Sequence, residues 1–200
     1  MFYRAVRFML RILFTFFYRY KVAGRDRLPA QGGCIVVANH CSLADPLILG
    51  SALKRSVRFM AKAEIFSWPV LGLCVRWLHA FPVRRGAGDR RAIKTGLEAV
   101  RQGEVLGLFP EGTRFRDGSL HELRNGAAMM TRMTGAPIIP VGIVGSHRMK
   151  FLRFPRLKVY IGEALNLTLP EGLREREATA AVNKVIGKGL EYCMEQARKM

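Results

Sequence analysis

CIVVANHCSLADPLILG, residues 34–50, begins with five apolar residues rich in β-branched side chains. A short continuous run of this kind is typical of a buried strand. Asp45 followed by Pro46 favours a helix start, because aspartate is common at the N-cap and proline in the first helical turn. The polar loop of residues 39–44 joins the two elements. The segment therefore predicts a strand–loop–helix unit of an α/β domain.

Similar units follow along the chain. Further strands are predicted at residues 57–62, 79–83, 104–110, 137–145 and 157–162, and further helices at residues 65–78, 90–103, 122–134 and 176–199. Pro69 and Gly72 should bend or split the first of these helices. Strands alternating with helices at this spacing predict one α/β domain over residues 25–200, with a largely parallel or mixed sheet flanked by helices.

The composition limits the class of protein. The 200 residues are 50% hydrophobic, which is enough for one domain with a core, and the formal net charge is +18. Such a charge favours anionic partners, namely phospholipid surfaces, nucleic acid or phosphorylated substrates. Cys34, Cys41, Cys74 and Cys193 form no C-x-x-C pair. Their spacing predicts no metal site and fits reduced, cytosolic thiols.

Residues 1–24 mix apolar side chains with arginine. At about 100° per residue, a helix here would carry arginines and Thr15 on one stripe and a broad apolar side opposite. The arginines are Arg4, Arg7, Arg11 and Arg19, and the apolar residues are Phe2, Val6, Met9, Leu13, Phe16, Phe17 and Tyr20. A bilayer-spanning helix needs about 20 apolar residues. The segment predicts instead a basic amphipathic helix in a membrane interface, with arginines at the lipid phosphates. The alternative is a helix that packs on its own domain.

His40 is the best candidate for a general base, because it follows a predicted strand at the sheet edge where α/β proteins bind ligands. A hydrogen bond from one ring nitrogen to the Asp45 carboxylate would leave the other nitrogen free to accept a hydroxyl proton. Asp45 could equally be only the helix N-cap, and the two roles are compatible. Asn39 could orient the loop or donate to an oxyanion. Cys41 and Ser42 are weaker candidates, as covalent nucleophiles.

FPEGTR, residues 109–114, follows another predicted strand. Its glycine would let the backbone approach a ligand closely, and its arginine offers a fork matched to phosphate oxygens. A second pair of arginines, residues 84–85, follows the strand that ends in FPV. The two segments predict a divided phosphate-binding wall. Ordinary surface arginine is the competing explanation in so basic a chain.

Taken together, these segments resemble the glycerolipid acyltransferase family, the group that includes 1-acyl-sn-glycerol-3-phosphate acyltransferases. The matching motifs are N-H-x-x-x-x-D at residues 39–45, K-x-E-x-F-x-x-P-x-x-G at 62–72 with P-V-x-R at 82–85, F-P-E-G-T-R at 109–114 and I-P-V at 139–141. Four motifs in the family's order make this a specific resemblance. It implies that His40 and Asp45 are a catalytic pair.

The resemblance also implies a reaction. His40, oriented by Asp45, would remove a proton from the sn-2 hydroxyl of 1-acyl-sn-glycerol 3-phosphate. The resulting oxygen nucleophile would attack the thioester of acyl-CoA or acyl-acyl-carrier-protein and give phosphatidic acid. No metal, no cofactor and no covalent acyl-enzyme are implied. The residues implied to bind the acceptor phosphate are Arg85, Glu111, Gly112 and Arg114, and the supporting residues are Asn39, Lys62 and Thr113.

The partners implied are a membrane phospholipid surface, a lysophospholipid acceptor and the acyl donor, with no nucleic acid. The expected location is the cytoplasmic face of the cell membrane, peripheral or monotopic. Two departures from the family pattern leave the acceptor open between this lysophospholipid, glycerol 3-phosphate, lyso-ornithine lipid and other lysophospholipids. Residues 123–126 replace F-K-x-G, and a glycine common before P-V-x-R is replaced near His79.

A rival hypothesis from another class is a non-catalytic protein that binds anionic lipid or nucleic acid by charge. Its main support is a basic cluster without acidic residues, formed by Arg148, Lys150, Arg153, Arg156 and Lys158. Such binding would depend steeply on salt concentration. The hypothesis leaves His40 and FPEGTR without a role. The histidines at positions 79, 121 and 147 are expected to be structural or surface residues.

Overall fold

The structure is a computed structural model that describes residues 2–83, 89–149, 153–168 and 172–200. Within these ranges the strands form one seven-stranded mixed sheet in the order β1-β7-β6-β2-β5-β3-β4. The strands are β1 (Lys21–Ala23), β2 (Cys34–Ala38), β3 (Val57–Lys62), β4 (Phe81–Val83), β5 (Val105–Leu108), β6 (Ile138–Val144) and β7 (Lys158–Ile161). The neighbouring pairs are parallel except β6 and β7, which are antiparallel. The predicted α/β class and mixed sheet are confirmed.

Helices cover both faces of this sheet. The α-helices of the described ranges are α1 (Phe2–Tyr18), α2 (Asp45–Ala52), α3 (Pro69–Trp77), α4 (Arg90–Arg101), α5 (Gly126–Thr134) and α6 (Glu175–Lys199). Side chains of β2 alternate between two cores, as the pleat requires. Val36 packs with α1 and α2 on one face, and Val37 packs with α4, α5 and α6 on the other. All five residues of β2 are buried.

Most differences from the predicted elements have a local cause. The apolar helix is split as predicted at Pro69, where α3 begins after the 3-10 helix Ala63–Ser67, because proline lacks the N–H that a continuing helix needs. Gly72 does not break α3 and allows close packing, since a Cβ there would lie 2.5 Å from the carbonyl oxygen of Phe66. α5 begins at Gly126 and not at residue 122. The N–H of Arg124 donates instead to the carbonyl of Pro110 (2.8 Å), which holds this segment against the FPEGTR loop.

The sheet topology brings three loops together. β2, β3, β5 and β6 all run in the same direction, so their carboxyl ends meet at one edge. The loops that follow β2, β5 and β6 therefore lie side by side at the place where open α/β sheets bind ligands.

The N-terminal helix packs on the domain through part of its arginine stripe. Nε of Arg11 donates to the carbonyl of Ser51 (2.6 Å), and its Nη2 donates to that of Leu53 (3.1 Å). Nη1 of Arg7 donates to the carbonyls of Leu53 (3.3 Å) and Lys54. The expectation that the whole stripe faces lipid phosphates is therefore wrong for Arg7 and Arg11. The last carbonyls of α2 lack intrahelical partners and carry partial negative charge, so they attract the guanidinium groups.

The opposite side of α1 remains apolar and exposed. Its exposed large residues are Phe8, Met9, Ile12, Leu13, Phe16 and Phe17. Phe14 is buried in the core, so α1 both packs on its own domain and presents an apolar face outward. Tyr20, expected on the apolar side, lies beyond the helix and is buried, with its hydroxyl 3.0 Å from the carbonyl oxygen of Ile48.

The expected boundary at residue 24 does not separate two packed units. β1 was not predicted, because three residues are too few to show a pattern, yet it pairs in parallel with β7 and forms one edge of the sheet. Among the described residues, no helix is both long enough and apolar enough to cross a bilayer.

Candidate active site

His40 and Asp45 lie in direct contact at the carboxyl end of β2. Nδ1 of His40 is 3.0 Å from Oδ2 of Asp45. The same oxygen accepts hydrogen bonds from the backbone N–H groups of Cys41 (2.6 Å) and Ser42 (2.7 Å). Asp45 is fully buried. It is the first residue of α2, whose N-cap is Ala44. The expected N-cap role is therefore wrong: the carboxylate turns back onto its own loop and orients the histidine.

This contact decides what the imidazole can do. With Nδ1 directed at a carboxylate, the neutral ring carries its proton on Nδ1 and its lone pair on Nε2. The ring stacks on Phe109, with centroids 4.1 Å apart, and its side chain is 14% exposed. Phe109, the first residue of FPEGTR, was not predicted as a site residue, and its role follows only from the packing. The arrangement is suited to removing a proton from a hydroxyl group that approaches Nε2.

Glu111 holds the backbone of the histidine loop. Its Oε1 accepts from the N–H of His40 (2.7 Å), and its Oε2 accepts from the N–H of His121 (3.2 Å). The carboxyl group is buried, and this burial raises its pKa. The N–H of Phe115 donates in turn to the carbonyl of His40 (2.9 Å). The carboxylate oxygens of Glu111 therefore serve backbone N–H groups and position the histidine loop, and its contact with the acceptor phosphate stays a prediction.

Gly112 is required by its own backbone and by a neighbour. Its φ angle is +68°, in the region that favours glycine, and a Cβ would lie 2.5 Å from Cδ of Arg124. Arg124 stands where the family pattern has the lysine of F-K-x-G, and its exposed side chain crosses Gly112. It was not among the predicted site residues, although that alignment was the signal that pointed to it.

An apolar cavity of about 160 Å³ opens beside His40. Its walls are mainly aliphatic and aromatic side chains from α2, β3, α3 and the segments that follow α3 and β5. Its polar lining residues are His40, Lys62, Thr113 and Arg114. The structure thus brings three further predicted site residues to the histidine. Lys62 also forms an ion pair with Glu64 (3.0 Å). Arg85, which was also predicted to bind the phosphate, lies outside the described residues.

Asn39 fixes the start of the loop. Its Oδ1 accepts from the N–H of Ile143 (2.8 Å), and its Nδ2 donates to the carbonyl of Ile143 (2.9 Å), so the side chain links β2 to β6. The second N–H of the amide points to Sγ of Cys41 at 3.5 Å. Asn39 is fully buried, so it orients the loop, and its amide is not placed to stabilise an oxyanion.

The two candidate nucleophiles are placed poorly for covalent catalysis. Cys41 is buried, and this burial, with the nearby Asp45 carboxylate, raises the pKa of its thiol to about 11. The thiolate needed for attack is thus strongly disfavoured. Oγ of Ser42 accepts from the N–H of Ala44 (3.2 Å) and belongs to the turn. His40 is left as the residue of this loop that is suited to catalysis.

The chain is similar in sequence to known proteins. The model of the acyltransferase family matches residues 19–144. A 1-acyl-sn-glycerol-3-phosphate acyltransferase of Bacillus subtilis (strain 168) is 32% identical over 88% of this chain and 90% of its own length. The chloroplastic 1-acyl-sn-glycerol-3-phosphate acyltransferase BAT2 of Brassica napus is 33% identical over 66% of this chain, which spans only 39% of that protein.

A solved structure is also similar. The crystal structure of the 1-acyl-sn-glycerophosphate (LPA) acyltransferase PlsC from Thermotoga maritima has a TM-score of 0.71 at 27% identity. The match covers 95% of this chain and 79% of the other. The chain therefore belongs to the acyltransferase family. It is an O-acyltransferase, which rejects the hypothesis of a non-catalytic basic protein.

Replacing Glu111 by glutamine should loosen the histidine loop. One of the two backbone N–H groups would then face an amide NH₂ and lose its acceptor. The loss should lower the free energy of unfolding by about 1.5–3 kcal/mol, the range for hydrogen bonds to charged groups, and should lower kcat as well. Urea unfolding with the exposed Glu122→Gln as control checks the result. Equal stability of the two variants would contradict this role of Glu111 in holding the histidine loop.

Proposed function

We propose that the chain transfers a fatty acyl group from a thioester donor to the sn-2 hydroxyl of 1-acyl-sn-glycerol 3-phosphate and forms phosphatidic acid in phospholipid biosynthesis. The observation that carries this proposal is the His40–Asp45 contact, which leaves Nε2 free beside an apolar cavity. The names of the similar proteins support the choice of acceptor.

The proposed reaction needs one base and no covalent intermediate on the protein. Nε2 of His40 accepts the proton of the acceptor hydroxyl as its oxygen attacks the thioester carbonyl, and the Asp45 carboxylate stabilises the imidazolium that forms. The tetrahedral intermediate then collapses by breaking the carbon–sulfur bond. The departing thiolate takes up the proton that His40 holds. This step releases the thiol and returns the imidazole to its neutral state.

Lys62 and Arg114 are proposed to bind the acceptor phosphate. Both line the cavity next to His40, one at the end of β3 and the other at the end of FPEGTR. A guanidinium group binds phosphate through two parallel hydrogen bonds, and an ammonium group binds it as a point charge. Thr113 can add a hydroxyl donor to the same phosphate. Arg85 is proposed as a further ligand on sequence grounds alone.

The apolar cavity is proposed to hold the acyl chain where it adjoins the thioester. Phe59 and Leu78 are among the apolar residues that line it. Pockets that enclose whole small ligands measure about 300–1,000 Å³. A volume of about 160 Å³ therefore holds part of a long chain. The donor is acyl-CoA or acyl-acyl-carrier-protein, and the reaction as proposed uses no metal or cofactor.

His40→Ala should lower kcat by at least about 10²-fold, the usual contribution of a general base. The unfolding midpoint should stay near that of the wild type, because the ring is replaced by a smaller side chain near a cavity. The assay follows phosphatidic acid by mass spectrometry, with palmitoyl thioester and lysophosphatidic acid as substrates. His79→Asn is the matched control, since His79 is exposed and asparagine tolerates its φ of +51°. Activity of His40→Ala within a few-fold of wild type would refute the assignment.

We further propose that the outer face of α1 lies in a membrane interface, at the cytoplasmic face of the cell membrane. The C-terminal end of α1 reaches the sheet edge that holds His40: the carbonyl of Tyr18 accepts from the N–H of Leu157 (2.9 Å), just before β7. The exposed Phe154 continues this face, with its ring centroid 5.4 Å from that of Phe17. An apolar face so placed would bring the catalytic edge close to the lipid acceptor.

Phe16→Glu should weaken membrane binding without disturbing the fold, because this side chain is 80% exposed. Loss of one aromatic side chain from the lipid interface should reduce partition onto anionic phospholipid vesicles by about tenfold or more. Turnover of acceptor in vesicles should fall accordingly, and turnover of detergent-dispersed acceptor should change little. Thr15→Glu, which adds the same charge on the polar side of α1, is the control. Equal losses in both assays would argue against membrane docking by this face.

A further inference from the structure

A second and more polar cavity, of about 530 Å³, lies near the carboxyl end of β6. Four basic side chains from separate segments line it: Arg148 after β6, Arg156 before β7, Lys158 in β7 and Arg198 in α6. Neither the proposed proton transfer nor the proposed acceptor site uses these residues. This basic cavity therefore needs its own explanation.

The basic cavity shares the catalytic edge of the sheet. β6 lies next to β2, about 4.8 Å away. Ile143 of β6 lines the cavity and forms two hydrogen bonds with Asn39, the residue that follows β2. Lys158 lies opposite Val144, the last residue of β6. The apolar cavity lies on the other side of β2, toward β5 and β3. His40 thus stands between an apolar cavity and a basic one.

The four cations of this cavity have few acidic neighbours among its described lining residues. In the part of the chain that the structure describes, no carboxylate forms an ion pair with the four cations. The acidic residue that lines the cavity is Asp117, and its Oδ2 forms a hydrogen bond with Nε2 of His121 (2.8 Å). Nζ of Lys158 donates to the backbone carbonyl of Arg198 (2.9 Å), which holds the ammonium group against α6. The cavity thus offers several cationic hydrogen-bond donors to an anion.

On the basis of the proposed function, we propose that the basic cavity binds the phosphate of the acyl donor's phosphopantetheine group. Acyl-CoA and acyl-acyl-carrier-protein share this group. Its long pantetheine arm ends in the thioester, so a phosphate held beside β6 lets the thioester reach His40. The acyl chain then continues into the apolar cavity on the far side. One extended donor would thereby span both cavities, with its thioester carbon next to His40.

The test compares donors with and without the phosphate. The variant is the double substitution Arg148→Glu/Arg156→Glu, both exposed, and the control is Arg101→Glu/Arg176→Glu, which changes the net charge equally at exposed sites elsewhere. Palmitoyl-CoA, palmitoyl-acyl-carrier-protein and palmitoyl-pantetheine, which lacks the phosphate, are each tested with detergent-dispersed lysophosphatidic acid. We expect the KM of at least one phosphate-bearing donor to rise about tenfold or more, with kcat little changed. The KM of palmitoyl-pantetheine should stay unchanged.

Each other result has a meaning. A rise for only one phosphate-bearing donor supports the proposal and identifies that donor. An equal rise for all three donors, or for none, overturns it. Binding of the variant to anionic vesicles shows whether the cavity serves lipid phosphate instead: loss of vesicle binding with unchanged donor KM would also overturn the proposal.

If the wild type uses no donor, the proposed function fails. Calorimetry with CoA and with holo-acyl-carrier-protein then decides this proposal, which is overturned unless the wild type binds at least one of them more tightly than the variant.

Discussion

One carboxylate oxygen organises the histidine loop between β2 and α2. Oδ2 of Asp45 accepts three hydrogen bonds, from the ring of His40 and from the N–H groups of Cys41 and Ser42. Three donors on one buried oxygen define the path of the backbone between β2 and α2 and the direction of the ring. Glu111 secures the same loop from the β5 side, through the N–H of His40. The geometry of the candidate site therefore depends on two buried carboxylates, each of which would be costly to bury without such donors.

The parallel strands give this loop its surroundings. Because β2, β3, β5 and β6 end at the same edge, cavities can form on both sides of His40 from elements far apart in sequence. One of them is apolar and reaches β3, and the other is basic and reaches β7. This division matches the two halves of an acyl thioester, a hydrocarbon chain and a phosphate-bearing carrier. The outer face of α1 ends at the same edge, where a lipid acceptor would arrive.

The sequence predicted the elements with a strong local pattern and missed what depends on distant partners. β2 and β3 were predicted to the residue, because continuous apolar or alternating runs mark them. β1 was missed because its three residues are ordered only by pairing with β7. The His40–Asp45 pair was one of two open possibilities, and the family resemblance was needed to choose. The contacts of Arg11 and Glu111 were not predicted, since a sequence does not show that a charged side chain will meet the unpaired carbonyls or N–H groups of another segment.

The proposed mechanism requires that Asp45 make His40 a base. Its most direct test is the yield of phosphatidic acid from palmitoyl thioester and lysophosphatidic acid by Asp45→Asn, measured by mass spectrometry with unfolding curves to confirm the fold. We expect a fully folded variant with a yield at least about 10²-fold lower, because an amide cannot hold Nδ1 protonated as a carboxylate does. A folded variant that forms phosphatidic acid at the wild-type rate would contradict it.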